Sequence, residues 1–431
     1  MINIEVVLEN LLDKCINVLR GRLAAEQSIP ITIESLFLEL YSQNSKQFRK
    51  GILSNKVYEV LEEDEILKGV LSDVFILREK DYNKLFKSVM ECFDNEEFKT
   101  ILKKYKKSYI FSLAIDQLYK NSRFLYKTPE NINKLIARVV ENKKIQSLYD
   151  PAIGTGSLTI EIAKTHKNIK IYGQEIYPRS LNICKMIFIL DGRSDDIKNI
   201  HLGNTLTNPM HVENNKLNKF DCVVSDIPMA LKDWGYNEGM NDKYKRFKRG
   251  MPAKNNGEYA FISHMVESLD ENGFGVVLVT SGVLFRGGAE RTIREKLIEE
   301  NLVECVIALP NNMMHNTSIP VNLLILNKNK KSDQILFIDV AKNTEPSRTL
   351  TTLSDEMIDK IGSAYEGRME VQGFSKLVSF NVVESNEFNL NINRYMMEIE
   401  DEKLDINAIN DEVLKLEKQL KDIQDKIRMF I

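Results

Sequence analysis

The feature that most constrains the fold is a short glycine-bearing turn in the first half of the 431-residue chain. An apolar run, Ile145 to Tyr149, leads into Asp150-Pro151-Ala152-Ile153-Gly154-Thr155-Gly156-Ser157, and a helical apolar pattern, Leu158 to Lys164, follows at once. A strand that turns through glycines straight into a helix leaves a nucleotide-sized recess at its end, because a residue without a Cβ lets a ligand approach the main chain. A dinucleotide fingerprint would need a third glycine where Thr159 stands, and a phosphate loop would need Gly-Lys-Ser/Thr, so both are disfavoured. Asp150, four residues ahead of Gly154, suits a ligand carrying an ammonium group. Glu175, ending the next apolar run, is placed to hold both hydroxyls of a ribose. An amino acid joined to a ribose describes S-adenosylmethionine.

Similar runs recur along the chain. Candidate strands are Ile145 to Tyr149, Ile169 to Tyr172, Ile200 to Leu202, Phe220 to Val224, Val276 to Val279, Val303 to Ala308 and Leu323 to Leu326, with Ile335 to Val340 as a further run. Helical patterns separate most of them, including Pro178 to Leu190, Tyr259 to Leu269 and Glu290 to Glu300. This alternation predicts an α/β domain with a doubly wound, mostly parallel sheet that binds ligands at the carboxyl ends of its strands. From Ile4 to about Phe124 apolar residues recur at helical spacing instead, as in Val7, Leu8, Leu11, Leu12, Cys15, Val18 and Leu19, which predicts an all-α domain. Within it Thr32, after Pro30, reads as a helix N-cap and Glu62 to Glu65 as a solvated helix face. At the far end Ile409, Val413, Leu416, Leu420, Ile423, Ile427 and Phe430 recur at intervals of four and three, a heptad seam that predicts a C-terminal coiled-coil helix. The expected division is 1–122 helical, 123–345 the sheet domain, 346–400 an irregular extension and 401–431 the heptad helix.

Composition bounds the rest. With 43 % hydrophobic residues, 28 % charged residues, 20 Gly and 10 Pro, a wholly disordered or collagen-like chain is excluded. Fifty-nine Lys and Arg against 62 Asp and Glu leave a net charge of −3, so any contact with a polyanion must be local. Cys15, Cys92, Cys184, Cys222 and Cys305 are scattered, with neither a C-x-x-C pair nor a histidine at ligand spacing, so no metal site is expected. The five histidines pair with no Ser or Cys and read as structural or surface residues. No stretch of eighteen apolar residues occurs, and the first twenty residues carry charges throughout; no membrane contact and a cytoplasmic location are expected.

Further motifs stand in a fixed order around the turn. Tyr126-Lys127-Thr128-Pro129 precedes it; Ser225-Asp226-Ile227-Pro228-Met229 ends the fourth run; Phe285-Arg286-Gly287-Gly288-Ala289-Glu290 opens a helix; Phe388-Asn389-Leu390-Asn391-Ile392 closes the series. With these motifs the chain resembles, from about Phe124 to Met397, the modification subunits of type I restriction-modification enzymes, which are adenine-N6 DNA methyltransferases. The resemblance implies a seven-stranded Rossmann-like, class I S-adenosylmethionine-dependent methyltransferase domain that transfers methyl to adenine N6 in DNA. It implies that Thr128 meets the methionine end of the cofactor, and that Asp150, Gly154 and Gly156 line it. Glu175 is then on its ribose, and Asn204, where the family usually has Asp, accepts beside its adenine. The catalytic tetrapeptide is Asp226, Ile227, Pro228 and Met229, in place of the family's Asn-Pro-Pro-Phe/Tyr. Asp226 and the Ile227 carbonyl are expected to accept the two hydrogens of the adenine amino group. Met229 replaces the aromatic that stacks on a flipped base, and Trp234, five residues on, is the nearby aromatic that could stand in. A catalytically impaired relative that binds cofactor or DNA as an assembly or defence component is the alternative, and a methyltransferase acting on RNA or a protein glutamine fits the motif set less well.

Lys243, Lys245, Arg246, Lys248, Arg249 and Lys254, interleaved with Tyr244 and Phe247, form the densest basic segment near the expected active face and are candidates to hold DNA phosphates. About ninety residues follow Val340, too few for a base-reading domain beside the heptad helix. The resemblance therefore implies partners: double-stranded DNA, a specificity subunit docked through the C-terminal helix, and a restriction nuclease subunit.

Overall fold

The structure, a computed structural model, describes residues 3–54, 56–79, 83–119, 127–314, 319–344, 350–396, 413–420 and 423. Among them the N-terminal part is helical: α1 (Ile4–Leu19), α2 (Ala25–Ser42), α3 (Lys46–Ile52), α4 (Val57–Glu63), α5 (Ile76–Glu79), α6 (Asn83–Cys92), α7 (Glu96–Lys104) and α8 (Lys107–Tyr119). The stripe Val7, Leu8, Leu11, Leu12, Cys15 and Leu19 is the buried face of α1, whose first turn is capped by Asn3. Thr32 is not an N-cap. It lies inside α2, where its hydroxyl donates back to the Ser28 carbonyl at 2.8 Å. That helix runs through Pro30 because it is buried on nearly every side, with Ile31, Ile33, Leu36, Phe37, Leu38 and Leu40 all in the core. Packing on this scale outweighs the one hydrogen bond that proline cannot make.

After α9 (Glu130–Val140) the chain alternates. In order come β1 (Ser147–Asp150), α10 (Ser157–Ala163), β2 (Lys170–Glu175), α11 (Pro178–Leu190), β3 (Ile200–Leu202), a small hairpin β4 (Val212–Glu213) and β5 (Lys216–Leu217), and β6 (Phe220–Asp226). Then follow α12 (Tyr236–Gly239), α13 (Glu258–Ser268), β7 (Leu269–Thr280), α14 (Ala289–Glu299), β8 (Val303–Ala308), β9 (Val321–Asn327) and β10 (Ile335–Asp339). The last elements are α15 (Asp355–Gly367), β11 (Ser375–Val378), α16 (Phe380–Ser385) and α17 (Asn393–Met396).

All but the hairpin strands join one nine-stranded sheet in the order β11-β10-β8-β9-β7-β6-β1-β2-β3. β3, β2, β1, β6 and β7 are parallel, and β9 lies antiparallel between β7 and β8. The sheet therefore has nine strands where seven were expected, because β10 and β11 extend it past β8. The described residues of the stretch 346–400, expected to be irregular, instead supply α15, β11, α16 and α17. β11 escapes a periodicity reading because Ser375-Lys376-Leu377-Val378 has only two apolar residues and sits at the sheet edge.

Both faces of the sheet are covered, which is why its strands read as continuous apolar runs. In β6, Cys222 and Val224 point into one core and Val223 into the other; in β7, Val276 and Leu278 alternate with Val277 and Val279 in the same way. The first of these cores is continuous with that of the helical N-terminal part, with α8 packing on α11 and α9 on α10. Of the heptad positions, Ile409, Ile427 and Phe430 lie outside the described residues. Residues 413–420 are helical, and Val413, Leu416, Leu420 and Ile423 are exposed.

Candidate active site

Adjacent strands deliver three carboxylates to one edge of the sheet: β1 ends in Asp150, β2 in Glu175 and β6 in Asp226. Asp150 is buried, and its Oδ1 accepts from the Ala152 amide at 2.9 Å and the Ser225 hydroxyl at 2.7 Å. Glu175 braces the glycine turn, its Oε2 accepting from Gly154 N at 2.9 Å and its Oε1 from Tyr177 N at 2.8 Å. Gly154 and Gly156 both have positive φ, 56° and 77°. A Cβ at Gly156 would stand 2.7 Å from both Cys184 Sγ and Phe188 Cε2 on α11, so this glycine serves helix packing as well as the turn.

Asp226 has a divided environment. Its Oδ2 accepts from Thr128 Oγ1 at 2.8 Å, while its Oδ1 is shut off from solvent and has no partner. Burial pushes the Asp226 carboxyl up to about 7 against the opposing hydrogen bond from Thr128. Burial likewise pushes Asp150 up to about 7 and raises Glu175. A small pocket lies beside Asp150 and Asp226, lined by Lys127, Thr128, Asp150, Gly154, Thr155 and Asp226 among others, with Glu175 outside its lining. Thr155 adds a second orphan, a buried Oγ1 without a partner. Buried polar atoms are nearly always hydrogen-bonded, so an orphan on each of two residues that line one pocket is consistent with a ligand bound there.

Thr128 therefore belongs to the site and is not the cap of α9, whose N-cap is Pro129. The other expected residues divide. Ile227 is fully buried among the second core's side chains, Pro228 is exposed, and Met229 is half-buried and packed against the first core. Trp234 cannot stack on a ligand: it is fully buried, and its indole N–H donates to the Ala253 carbonyl at 2.9 Å. Asn204 lies at the expected edge, but its Oδ1 faces its own loop, accepting from Leu206 N at 2.9 Å and Thr207 N at 3.3 Å, so the oxygen expected to accept from adenine serves a turn.

The basic segment departs most from expectation. Arg246 is buried; it pairs with Asp242 at 2.8 Å and donates to the Leu206 carbonyl at 2.8 Å and the Thr205 carbonyl at 3.2 Å. Beneath it, burial and then the Arg246 charge hold buried His264 well below its ordinary value. Arg249 is also buried, bridging Glu267 and Glu300 at 2.6 Å each. Lys248 is exposed but pairs with Glu267 at 3.0 Å. Lys243 and Lys245 remain as exposed lysines of the segment.

Several features were not singled out from the sequence. Ile176, Tyr177 and Leu202 are exposed just beyond Glu175 and at the end of β3, an apolar border to the Glu175 carboxylate. The Phe-Arg-Gly-Gly-Ala-Glu run proves to be an anchored loop: Arg286 bonds fully buried Glu258 at 2.6 Å and Glu290 at 2.7 Å. Glu258 in turn accepts from Thr280 N and Oγ1 at the end of β7, at 3.1 and 2.8 Å. Phe285 is left 46 % exposed on this loop, beyond the strand that neighbours β6. The i,i+4 spacing of Arg286 and Glu290 was a legible signal; the long-range partner Glu258 was not.

Comparison with known proteins agrees with this architecture. The chain matches the N-6 DNA Methylase family over residues 110–404. It is 37 % identical over 308 residues to the type I restriction enzyme MjaVIII methylase subunit of Methanocaldococcus jannaschii, covering 67 % of this chain and 52 % of that protein. Against the MpnII methylase subunit of Mycoplasma pneumoniae it is 32 % identical over 319 residues, covering 70 % and 59 %. The chain thus spans little more than half the length of these relatives. The crystal structure of a type I restriction-modification system methyltransferase subunit from Streptococcus thermophilus superposes with a TM-score of 0.71 at 24 % identity, covering 91 % of this chain and 99 % of that one. This last likeness concerns the fold.

Proposed function

Because the chain belongs to the N-6 DNA methylase family, we propose that it transfers a methyl group from S-adenosylmethionine to adenine N6 in DNA. The observation that carries the proposal is Asp226, a residue that lines the pocket, with one carboxyl oxygen fixed by Thr128 and the other buried and unpartnered. The amino group of adenine is a poor nucleophile because its lone pair is drawn into the ring. An acceptor fixed against its N–H bonds returns electron density to the nitrogen as methyl approaches. The free Asp226 oxygen is such an acceptor, and the main-chain carbonyl of Ile227 supplies a second. Preorganised polar groups of this kind act most strongly in a water-poor site.

The residues fit the cofactor. Asp150 offers its carboxylate to the ammonium, Glu175 to the ribose hydroxyls, and the glycine turn lets the main chain come close; S-adenosylmethionine supplies the electrophilic methyl. Met229 packs into the first core, so the exposed aromatic nearest in topology is Phe285, which we assign to the base-facing side. Lys243 and Lys245 are assigned to phosphates. The expected division into a helical part, a methyltransferase sheet, an extension and a heptad helix stands as a proposal. It assigns the exposed stripe Val413, Leu416, Leu420 and Ile423 to docking of a specificity subunit, with a restriction nuclease subunit as a further partner.

Tritiated S-adenosylmethionine, duplex DNA and a cognate specificity subunit added to the chain are expected to yield labelled N6-methyladenine. Cofactor binding without any label in DNA overturns the transfer reading; no cofactor binding at all overturns the whole proposal.

A further inference from the structure

Asp226 stands where an asparagine is expected, and a carboxyl group, unlike an amide, can take up or release a proton. It shares the pocket with Asp150 at the end of the neighbouring strand β1, whose carboxylate accepts from Ser225, the residue before Asp226. Two carboxylates in one water-poor recess repel each other, so both are charged at neutral pH only if a cation stands beside them. Lys127 is the one cation among the described lining residues, and its ammonium is committed to α8, donating to Ser112 Oγ at 2.9 Å and to both Asp116 oxygens at 2.7 Å. The segment before α9 otherwise gives Asp226 the uncharged hydroxyl of Thr128. From β2, Glu175 adds another acidic group, bonded to the Gly154 and Tyr177 amides. Beyond β7, on the other side of β6, Arg286 is already paired with Glu258 at 2.6 Å. Both aspartates accordingly titrate near 7: burial is the main cause in each, and the Asp226 charge adds to the rise at Asp150.

We infer that the empty pocket keeps a proton on the pair Asp150 and Asp226, and that the cationic cofactor drives this proton out as it binds. Asp226 then becomes a charged acceptor only when the methyl donor is in place, and an adenine that arrives first meets a weaker one. The charges balance. S-adenosylmethionine carries an ammonium, a sulfonium and one carboxylate, so its single net positive charge replaces the proton and leaves the charge of the pocket unchanged. Methyl transfer closes the cycle: the bond from N6 to methyl forms as the bond from sulfur to methyl breaks, and sulfur keeps the electron pair as a neutral thioether. The proton that N6 sheds returns to the carboxyl pair as the sulfonium charge disappears. This rests on the reading that the pocket takes S-adenosylmethionine and adds how the cofactor sets the charge of Asp226.

The test is isothermal titration of the full chain with S-adenosylmethionine near pH 7, repeated in phosphate and in Tris, whose different heats of ionisation count the protons released. The wild type is expected to release on the order of one proton per cofactor bound, and its affinity to fall as pH drops below about 7. S-adenosylhomocysteine, which lacks the sulfonium charge, is expected to release fewer. Asp226→Asn keeps the shape but removes one carboxyl group and the repulsion that holds a proton on the other. It is expected to bind the cofactor, to cut the release by about half or more, and to flatten the dependence of affinity on pH. Melting curves confirm that the variant is folded. A wild type that binds the cofactor without releasing protons, the same release from Asp226→Asn, or equal release with both ligands overturns the inference and leaves the cofactor reading intact. A wild type that binds neither ligand overturns both together.

Discussion

Two polar stretches close together in the chain, 225–229 at the end of β6 and 242–249 in the loop beyond it, treat charge in opposite ways. The first has one carboxyl group, and half of it is left buried and unbonded. The second has five basic residues, and its two arginines have their donors committed inside the protein. Arg249 ties α13 to the end of α14, and Arg246 ties the loop to the carbonyls following β3. The denser cluster of charge is thus a fastener, and the sparse one is the candidate for chemistry. An unpaired buried oxygen on a residue that lines a pocket, as at Asp226, points to a ligand more directly than a concentration of already paired charge does.

The sharpest way to break this contrast is to remove each element and see which property falls. Asp226→Ala is expected to reduce methyl transfer by about a thousandfold, the effect of losing a preorganised polar group at a reacting atom, with cofactor binding retained in a titration and any loss of affinity far smaller than the loss of rate. Arg246→Ala is expected to do the reverse. It strands the buried Asp242 carboxylate and two carbonyls, so a urea melt is expected to show a loss of about 3–5 kcal/mol. If Arg246→Ala keeps full stability and loses DNA affinity alone, the contrast fails.

A middle-sized effect sharpens it through pH. The Asp226 carboxyl titrates near 7 in the folded chain against an ordinary value of 3.8. Between those values the folded state holds a proton that the unfolded state has released, so this group makes stability fall as pH rises through that window. Asp226→Asn removes the effect. The variant is expected to gain on the order of 2 kcal/mol over wild type at pH 8 and nothing near pH 4. Its methyl transfer, if retained, is expected to be flat where wild-type activity climbs toward pH 7, since only the charged form of Asp226 is a full acceptor. A rise with the same midpoint in Asp226→Asn would assign that titration to another group.

The contrast also explains what could be read from the sequence. Strands buried on both faces leave continuous apolar runs, so the β-strands from β1 to β10 in the main sheet were visible in one dimension, as was the turn from Asp150 to Gly156. β11 was not, because an edge strand of four residues has little to bury. The position of Asp226 followed from its place after a buried run, but its orphan oxygen and its bond to Thr128, 98 residues earlier, needed the fold. The arginines were misread for the same reason: Arg249 finds Glu267 and Glu300 only once α13 and α14 lie side by side. Trp234 looked available because its neighbours in sequence are polar, yet Gly239 and Gly257 approach its side chain so closely that a Cβ on either would stand 2.7–2.8 Å away.

The smallest expected effect tests what is left of the basic segment. Lys243 and Lys245 are exposed; Lys243 lies 5.0 Å from the Tyr244 ring centroid. If they hold phosphates, the double substitution Lys243→Ala, Lys245→Ala leaves stability within about 0.5 kcal/mol. It weakens DNA binding by the assembled enzyme without changing the preferred sequence, and lowers the slope of log affinity against log salt by about one for each lysine. A phosphate contact is long-range and releases counterions, whereas a base contact is short-range and does neither. An unchanged salt slope would therefore assign the whole segment, lysines included, to fastening the loop, and the polyanion contact would have to come from elsewhere in the assembly.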